Sequence, residues 1–328
     1  MSEPRSQGMV KPKLKYADVP LTRAGERRKD SEWLLEQQES SESRVVPVWR
    51  DRSMINDMGP NPRSTHMLCG GDVTKRVLGT GAETVFLGLQ ENQAVFAVDI
   101  SSYSEEQAVA MVEGGSFVDL RRIGPSIDAP GAALMAYARG MLYWHRQNSF
   151  CSRCGHTTES LDGGHRRKCQ SPECNSMAFP RTDPAVIMLV EYWPHCGRSP
   201  MCLLGNHYRL PTNVYSTLAG FVEPGESLEE TVVREVYEEV GVRISSACYQ
   251  ASQPWPFPSS IMLGYRAHAE STEIVVDRKE LKDARWFTVE EVRGFGEWGD
   301  ESVPYSLPRK DSIARFLVDS WVSEVSAP

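Results

Sequence analysis

Gly220-Phe-Val-Glu-Pro-Gly-Glu-Ser-Leu-Glu-Glu-Thr-Val-Val-Arg-Glu-Val-Tyr-Glu-Glu-Val-Gly-Val242 is the stretch from which the rest of the chain is read. Pro224-Gly225 marks a turn. Ser227, followed three residues later by Glu230, forms a capping box, so a helix is expected to begin at Leu228. Leu228, Val232, Val233, Val236 and Val240 recur at helical spacing and predict an apolar stripe turned to a core. Gly241 falls where a left-handed residue ends the helix. Glu235, Glu238 and Glu239, at i, i+3 and i+4, share one helical face. Three like charges so close repel, and packing gains nothing from them. A hard divalent cation reverses the sign, because Mg²⁺ or Mn²⁺ prefers carboxylate oxygen and keeps positions open for phosphate. Arg234 is placed to pair with one carboxylate and fix its direction. On the charge pattern alone, a solvated acidic face is an equal alternative.

Upstream of this stretch, four of the eight cysteines cluster as C-x2-C-x14-C-x4-C: Cys151, Cys154, Cys169 and Cys174. Two such pairs suit two knuckles that converge four thiolates on one Zn²⁺, a closed and therefore structural site. Its binding free energy would be folding free energy. Zinc ribbons often bind nucleic acid, and His165, Arg166, Arg167 and Lys168 form a basic strip beside this one. Cys69, Cys196, Cys202 and Cys248 are scattered, as buried small hydrophobes or surface thiols of a reducing compartment would be. Short apolar runs at 84–89 and 94–98, separated by turn residues, predict strands. Residues 131–146 repeat apolar positions at helical spacing. The unbroken run Ala185 to Val190 predicts a buried strand.

The chain has 328 residues, enough for two domains or three small ones. Hydrophobic residues at 40% and charged residues at 24% exclude collagen-like, coiled-coil and wholly disordered chains. A net charge of −8 and a pI near 5.5 argue against bulk nucleic acid or an anionic membrane as the main partner. Local basic residues or a metal can still hold a small phosphate. No apolar run approaches the roughly 20 residues that span a bilayer, and the N-terminus has no apolar signal region. A soluble cytoplasmic protein is the expectation.

Residues 220–242 fit G-x5-E-x7-R-E-U-x-E-E-x-G-U, with U aliphatic, at Gly220, Glu226, Arg234, Glu235, Val236, Glu238, Glu239, Gly241 and Val242. The string resembles the Nudix box. Farther on, Ser252-Gln-Pro-Trp-Pro-Phe-Pro-Ser-Ser260 is stiffened by its prolines and offers the rings of Trp255 and Phe257. It resembles the signature of the NADH pyrophosphatase branch, and a four-cysteine ribbon ahead of the box marks the same branch. Shorter stretches resemble it as well, among them Arg27–Asp30, Val46–Arg50, Asp119–Arg121, Phe179–Pro184 and Ser312–Arg315.

The resemblance implies an α+β protein: a flexible tail (1–15), a strand-rich N-terminal domain (16–148), a zinc ribbon (149–182) and a C-terminal Nudix α/β/α sandwich (183–328). It implies metal-dependent splitting of the pyrophosphate of NADH or NAD⁺ into nicotinamide mononucleotide and AMP, and removal of NAD caps from RNA 5′ ends. Glu235 and Glu239 are then Mg²⁺ or Mn²⁺ ligands, with Glu238 as ligand or base. The carbonyl of Ala219 and the carboxylate of Glu280 join them, and Arg234 orients the set. The dinucleotide loop maps onto Gln253, Pro254, Trp255, Pro256, Phe257, Pro258, Ser259 and Ser260. Phe221 is a stacking ring, and Arg121 and Ala314 are further contacts. Phe179 stands where the branch commonly has Tyr, which keeps a stacking face and loses a phenol hydrogen bond. One structural Zn²⁺ per subunit and a homodimer are also implied. A Nudix hydrolase of another dinucleotide (dinucleoside polyphosphate, ADP-sugar or flavin dinucleotide) is one alternative. An inactive zinc-ribbon binding module is the other.

Overall fold

Val186, Met188 and Val190 point to one face of a strand while Ile187 and Leu189 point to the other, and both sets are buried. A strand apolar on both sides needs cover on both sides. In the computed structural model it has that cover. Residues 14–55, 68–69, 71–113, 115–194 and 199–326 are described; the tail expected over the first 15 residues lies, up to residue 13, outside them. The chain forms two compact units, one of Pro184–Gln253 with Leu14 and the chain from Met262 onward, the other of Lys15–Asp183 with Pro254–Ile261.

In the first of these units, among the described residues, six strands form one sheet. Its order is Ile244–Trp255, Ser260–Ala269, Asp183–Tyr192, Met201–His207 and Leu281–Thr288, with Leu218–Phe221 also paired to Asp183–Tyr192. The helix Leu228–Val240 lays Val232, Val236 and Val240 on one face of the sheet. The helix Ile313–Val325 lays Ile313, Leu317, Val318 and Trp321 on the other. Each fully buried Val or Leu contributes about 1.5–3 kcal/mol relative to exposure, so both helices are held by their apolar faces. The capping box at Ser227 and the left-handed Gly241 (φ 68°) bound the first helix where the spacing predicts. Val233 is the exception, since it is 49% exposed and lies off the apolar stripe. The result is the expected α/β/α sandwich.

The other unit repeats this plan. Its strands Thr84–Gln90, Gln93–Asp99, Arg44–Trp49, Arg52–Ile55 and Ser116–Asp119 stand in that order, with Leu68–Cys69 also paired to Arg44–Trp49. Numbered along each unit among the described residues, both sheets read 4-5-1-2-6, with strand 3 on strand 1. In each a helix follows strand 3, a short helix follows strand 6, and a long helix closes the unit. Here the helix after strand 3 is Gly71–Leu78, and its one acidic residue is Asp72. The long helix Ala129–Gln147 starts at Asp128, whose carboxylate accepts from the Gly131 amide at 3.1 Å. It buries Leu134, Ala138, Met141 and Leu142 against Val46, Val48, Val85 and Leu87.

The cysteine segment adds a three-stranded sheet, Thr158–Leu161, Arg166–Cys169 and Met177–Ala178. A buried knot binds it to the rest of its unit. The Arg167 guanidinium donates to Glu83 at 2.6 Å and to Thr158 Oγ1 at 2.7 Å, and lies 2.7 Å from His145 Nδ1. His145 Nε2 donates to the Gly164 carbonyl at 2.7 Å. His165 reaches the Phe86 carbonyl at 2.8 Å.

Candidate active site

The glutamate helix meets the strand Leu218–Phe221 at a contact that only glycine permits. A Cβ placed on Gly220 would lie 1.8 Å from Cδ of Glu235. The Glu235 carboxylate therefore rests directly on the strand backbone, 9% exposed. Arg234 gathers the neighbouring acids. It donates to both oxygens of Glu226 (2.6 and 2.9 Å), to Glu235 (2.8 Å), to Glu238 (2.9 Å) and to the Phe221 carbonyl (3.0 Å). The paired bonds to Glu226 use the planar fork of the guanidinium. They hold the Glu226 carboxyl down to about 2, with the Glu223 amide as second donor. Glu226 was legible in the motif spacing, but its role as the brace of Arg234 was not.

Glu239 is different. It is 4% exposed and has no cationic partner among the described residues. Burial, then the charges of Glu235 and Glu280, push its carboxyl up to about 8, and the Ala219 amide offsets this only in part. Burial also raises Glu235, against the pull of Arg234. Glu280 enters from the turn after Asp277, whose amide donates to the Glu239 carbonyl at 2.8 Å. Glu238 and Glu280 are exposed. The donors are thus carboxylates beside a strand backbone, all hard oxygens, with one buried acid whose ionisation lacks compensation. Such a set fits a hard divalent cation. The carboxylates do not converge as the thiols do: among the described residues, the four cysteines are the only group of three or more such residues whose ligand atoms all lie within 4.8 Å of one another.

Two family models match, one for a NADH pyrophosphatase-like rudimentary NUDIX domain over residues 42–144 and one for the NUDIX domain over residues 186–305. The chain is similar to the Homo sapiens protein named NAD-capped RNA hydrolase NUDT12, 34% identical over 342 residues that cover 94% of this chain and 73% of that one. It is also similar to the Pseudomonas syringae pv. syringae protein named NAD-capped RNA hydrolase NudC, 41% identical over 67% of this chain and 72% of that one. A third relative is the Homo sapiens protein named NAD(P)H pyrophosphatase NUDT13, mitochondrial, 37% identical over 74% of this chain and 72% of that one. The chain belongs to the Nudix hydrolases.

The other site residues expected of this Nudix hydrolase fall into two groups. Phe221 and Phe179 expose their rings, at 60% and 54%. Arg121 is exposed, with its guanidinium 6.0 Å from the Phe257 ring. Ser259 is fixed by donating to Asp183 at 2.7 Å. Other side chains are engaged inside the fold. Gln253 is fully buried, its amide donating to the Asp311 carbonyl and accepting from the Ile313 amide, both at 2.8 Å. Ala314 is buried on the core face of the last helix. Trp255 and Phe257 present edges to one another (5.1 Å) and to Tyr16 (5.9 and 5.7 Å), so neither ring is simply a flat outward platform. Pro254, Trp255, Pro256, Ser259 and Ser260 line one side of a 240 Å³ apolar cavity against the helix Ala129–Gln147, and Pro258 follows Phe257 in the same loop.

The thiols of Cys151 and Cys174 lie 3.8 Å apart and those of Cys154 and Cys169 3.4 Å apart. The Arg153 and Cys154 amides bring the Cys151 thiol down to about 6, toward the thiolate that a metal binds. This donor set could hold a metal ion. Three residues of the neighbouring basic strip are engaged within the fold. Arg167 is buried in its knot, Arg166 pairs with Asp162 at 3.1 Å, and burial lowers His165 to about 4. Of the scattered cysteines, Cys202 is buried and Cys248 exposed; Cys196, and the side chain of Cys69, lie outside the described residues.

Proposed function

We propose that this Nudix hydrolase splits the pyrophosphate of NAD(H) into nicotinamide mononucleotide and AMP, and removes NAD caps from RNA by cleaving the same bond. The observation that carries the reading is Glu239, buried and uncompensated beside Glu235 on the Gly220 strand. The names of the relatives support the choice of substrate.

Glu235, Glu239, Glu280 and the Ala219 carbonyl are the groups we assign to Mg²⁺ or Mn²⁺. When bound, such an ion supplies charge neutralisation of the diphosphate and a lowered pKa for a coordinated water. The chain's residues do the rest. Arg234 holds Glu235 and Glu238 in fixed directions. Glu238, exposed at the ridge, accepts the proton of the attacking water. Water oxygen bonds to one phosphorus, the bridging P–O bond breaks, and the bridging oxygen leaves on the other phosphate. In its own unit, exposed Phe221 offers a ring face to a base. We assign one Zn²⁺ per subunit to the four cysteines, as a structural ion. We also read a homodimer, which light scattering would test. No described helix is long and apolar enough to cross a membrane.

The test is a substrate panel with Mg²⁺ or Mn²⁺: NADH, NAD-capped RNA, a dinucleoside polyphosphate, an ADP-sugar and flavin dinucleotide. NADH is expected to give reduced nicotinamide mononucleotide and AMP, and NAD-capped RNA to give nicotinamide mononucleotide and RNA with a 5′-monophosphate end. Cleavage of another dinucleotide with NADH and capped RNA left intact would sink the substrate assignment. Glu239→Gln should lower turnover by at least about a hundredfold with the thermal transition retained.

A further inference from the structure

A charged cavity, of about 570 Å³, lies in the N-terminal unit and has no part in the glutamate ridge. Arg50, Arg52, Arg122 and Arg139 line it, together with Asp51 and Asp119. Both acids are already engaged. Asp51 is ion-paired with Arg146, which also holds Asp99 at 2.8 Å, and Asp119 caps the next helix by accepting from the Arg121 amide at 2.8 Å. Among the described residues neither Arg50 nor Arg122 has a carboxylate partner, and Arg52 has only a half-exposed Glu105 at 4.0 Å. The cavity therefore offers guanidinium donors in excess.

These donors are held in place. Arg50 and Asp51 form a two-residue hairpin turn with φ of 47° and 63°, a backbone that Asn-Gly adopts far more readily. Ser101 accepts from the Arg50 amide at 2.7 Å, and Arg139 donates to the Asp51 carbonyl at 3.2 Å, which locks the turn. The Arg50 and Arg52 guanidiniums lie over the Trp49 ring at 4.7 and 5.5 Å. Arg139, mostly buried at the edge of the cavity, also donates to the Pro256 carbonyl and lies 5.4 Å from the Phe257 ring. It joins the cavity to the loop assigned above to the dinucleotide.

We propose that this cavity binds the ribose-phosphate backbone of the single-stranded RNA that follows an NAD cap. The inference rests on the function proposed above and adds what distinguishes a capped RNA from the free dinucleotide. Guanidinium forks match phosphate oxygens. Several of them line a space larger than one phosphate fills, which suits a chain of phosphates rather than a single anion. With a net charge of −8 on the whole molecule, polyanion binding needs such a local concentration of cations.

The test compares wild type with Arg50→Ala/Arg122→Ala and with Arg122→Glu, all changes at exposed side chains. Fluorescence anisotropy reads binding of a short uncapped single-stranded RNA, and steady-state kinetics read NADH and NAD-capped RNA. The double variant should bind RNA roughly tenfold more weakly, with a salt slope shallower by about 1.4, the value for two single-strand phosphate contacts. Its kcat/KM should fall on capped RNA and stay within about twofold on NADH. Unchanged RNA binding, equal losses on both substrates, or displacement of RNA by inorganic phosphate at comparable concentration would each overturn the proposal. A wild type that binds RNA through these arginines but hydrolyses neither substrate would instead overturn the parent reading, and the cap-adjacent role with it.

Discussion

At Gly220 the missing side chain does as much as the acids around it. The helix and the strand approach until a carboxylate occupies the place of a Cβ. Gly220→Ala should therefore push Glu235 off the strand, at about 1–3 kcal/mol of overpacking. Turnover should drop on the order of a hundredfold, because a displacement near 1 Å at a reacting centre has that effect. Urea unfolding and steady-state kinetics on the same preparation check both; an active Gly220→Ala would mean that Glu235 can move without consequence. Glu239 makes a separate prediction. With its carboxyl near 8 in the metal-free chain, it is mostly protonated at pH 7 and must lose its proton to bind a cation. Mn²⁺ binding should release protons at pH 7, and affinity should rise with pH and level off above about 8. Calorimetry in two buffers of different ionisation enthalpy measures the release, and none would argue against Glu239 as a ligand. The three acids on one face were readable from spacing alone. The close approach at Gly220 and the brace between Arg234 and Glu226 were not, because both depend on how the strand Leu218–Phe221 and the turn at Glu226 fold back against the helix.

Elements were most legible where local chemistry and tertiary packing agree. The helix Leu228–Val240 has a cap, a stripe and a stop signal in its own sequence, and it runs between the residues those signals name. Ser227→Ala removes the oxygen that accepts from the Glu230 amide. The cost should be about 1 kcal/mol, seen as a lower urea midpoint with kcat nearly unchanged; an equal loss of kcat would show that the first turn shapes the ridge. Val233 shows the limit of periodicity, since an apolar residue one step off the stripe faces solvent. The proline-rich loop shows another. Its composition predicts stiffness and aromatic surface, but the partners of those rings, Tyr16 and the helix Ala129–Gln147, come from more than a hundred residues away. Gln253 and Ala314 likewise read as contact residues by motif, while their side chains hold the last helix to its sheet.

At the scale of the molecule, the repeated sheet order of the two units escaped sequence reading because the helix Gly71–Leu78 carries none of the glutamates that identify its counterpart. What the N-terminal unit has in their place is structural charge, concentrated where the cysteine ribbon joins the sheet. Glu83 is the key acid there. Burial opposes its ionisation, but hydrogen bonds with His145 and Arg167 outweigh burial and bring it from an ordinary 4.5 to about 2. A carboxyl lowered on folding stabilises the fold above its unfolded pKa, and that contribution is lost as pH falls through the folded value. The window here is therefore about 4.5 down to about 2, and the contribution at neutral pH is at most about 3 kcal/mol. Glu83→Gln should lower stability at pH 7 and flatten its decline between those limits. Urea midpoints at pH 7, 4 and 3 measure the slope. A variant that loses stability equally at all three would show that Arg167 needs a hydrogen-bond acceptor at this position, and not a charge, to bind the ribbon to the sheet.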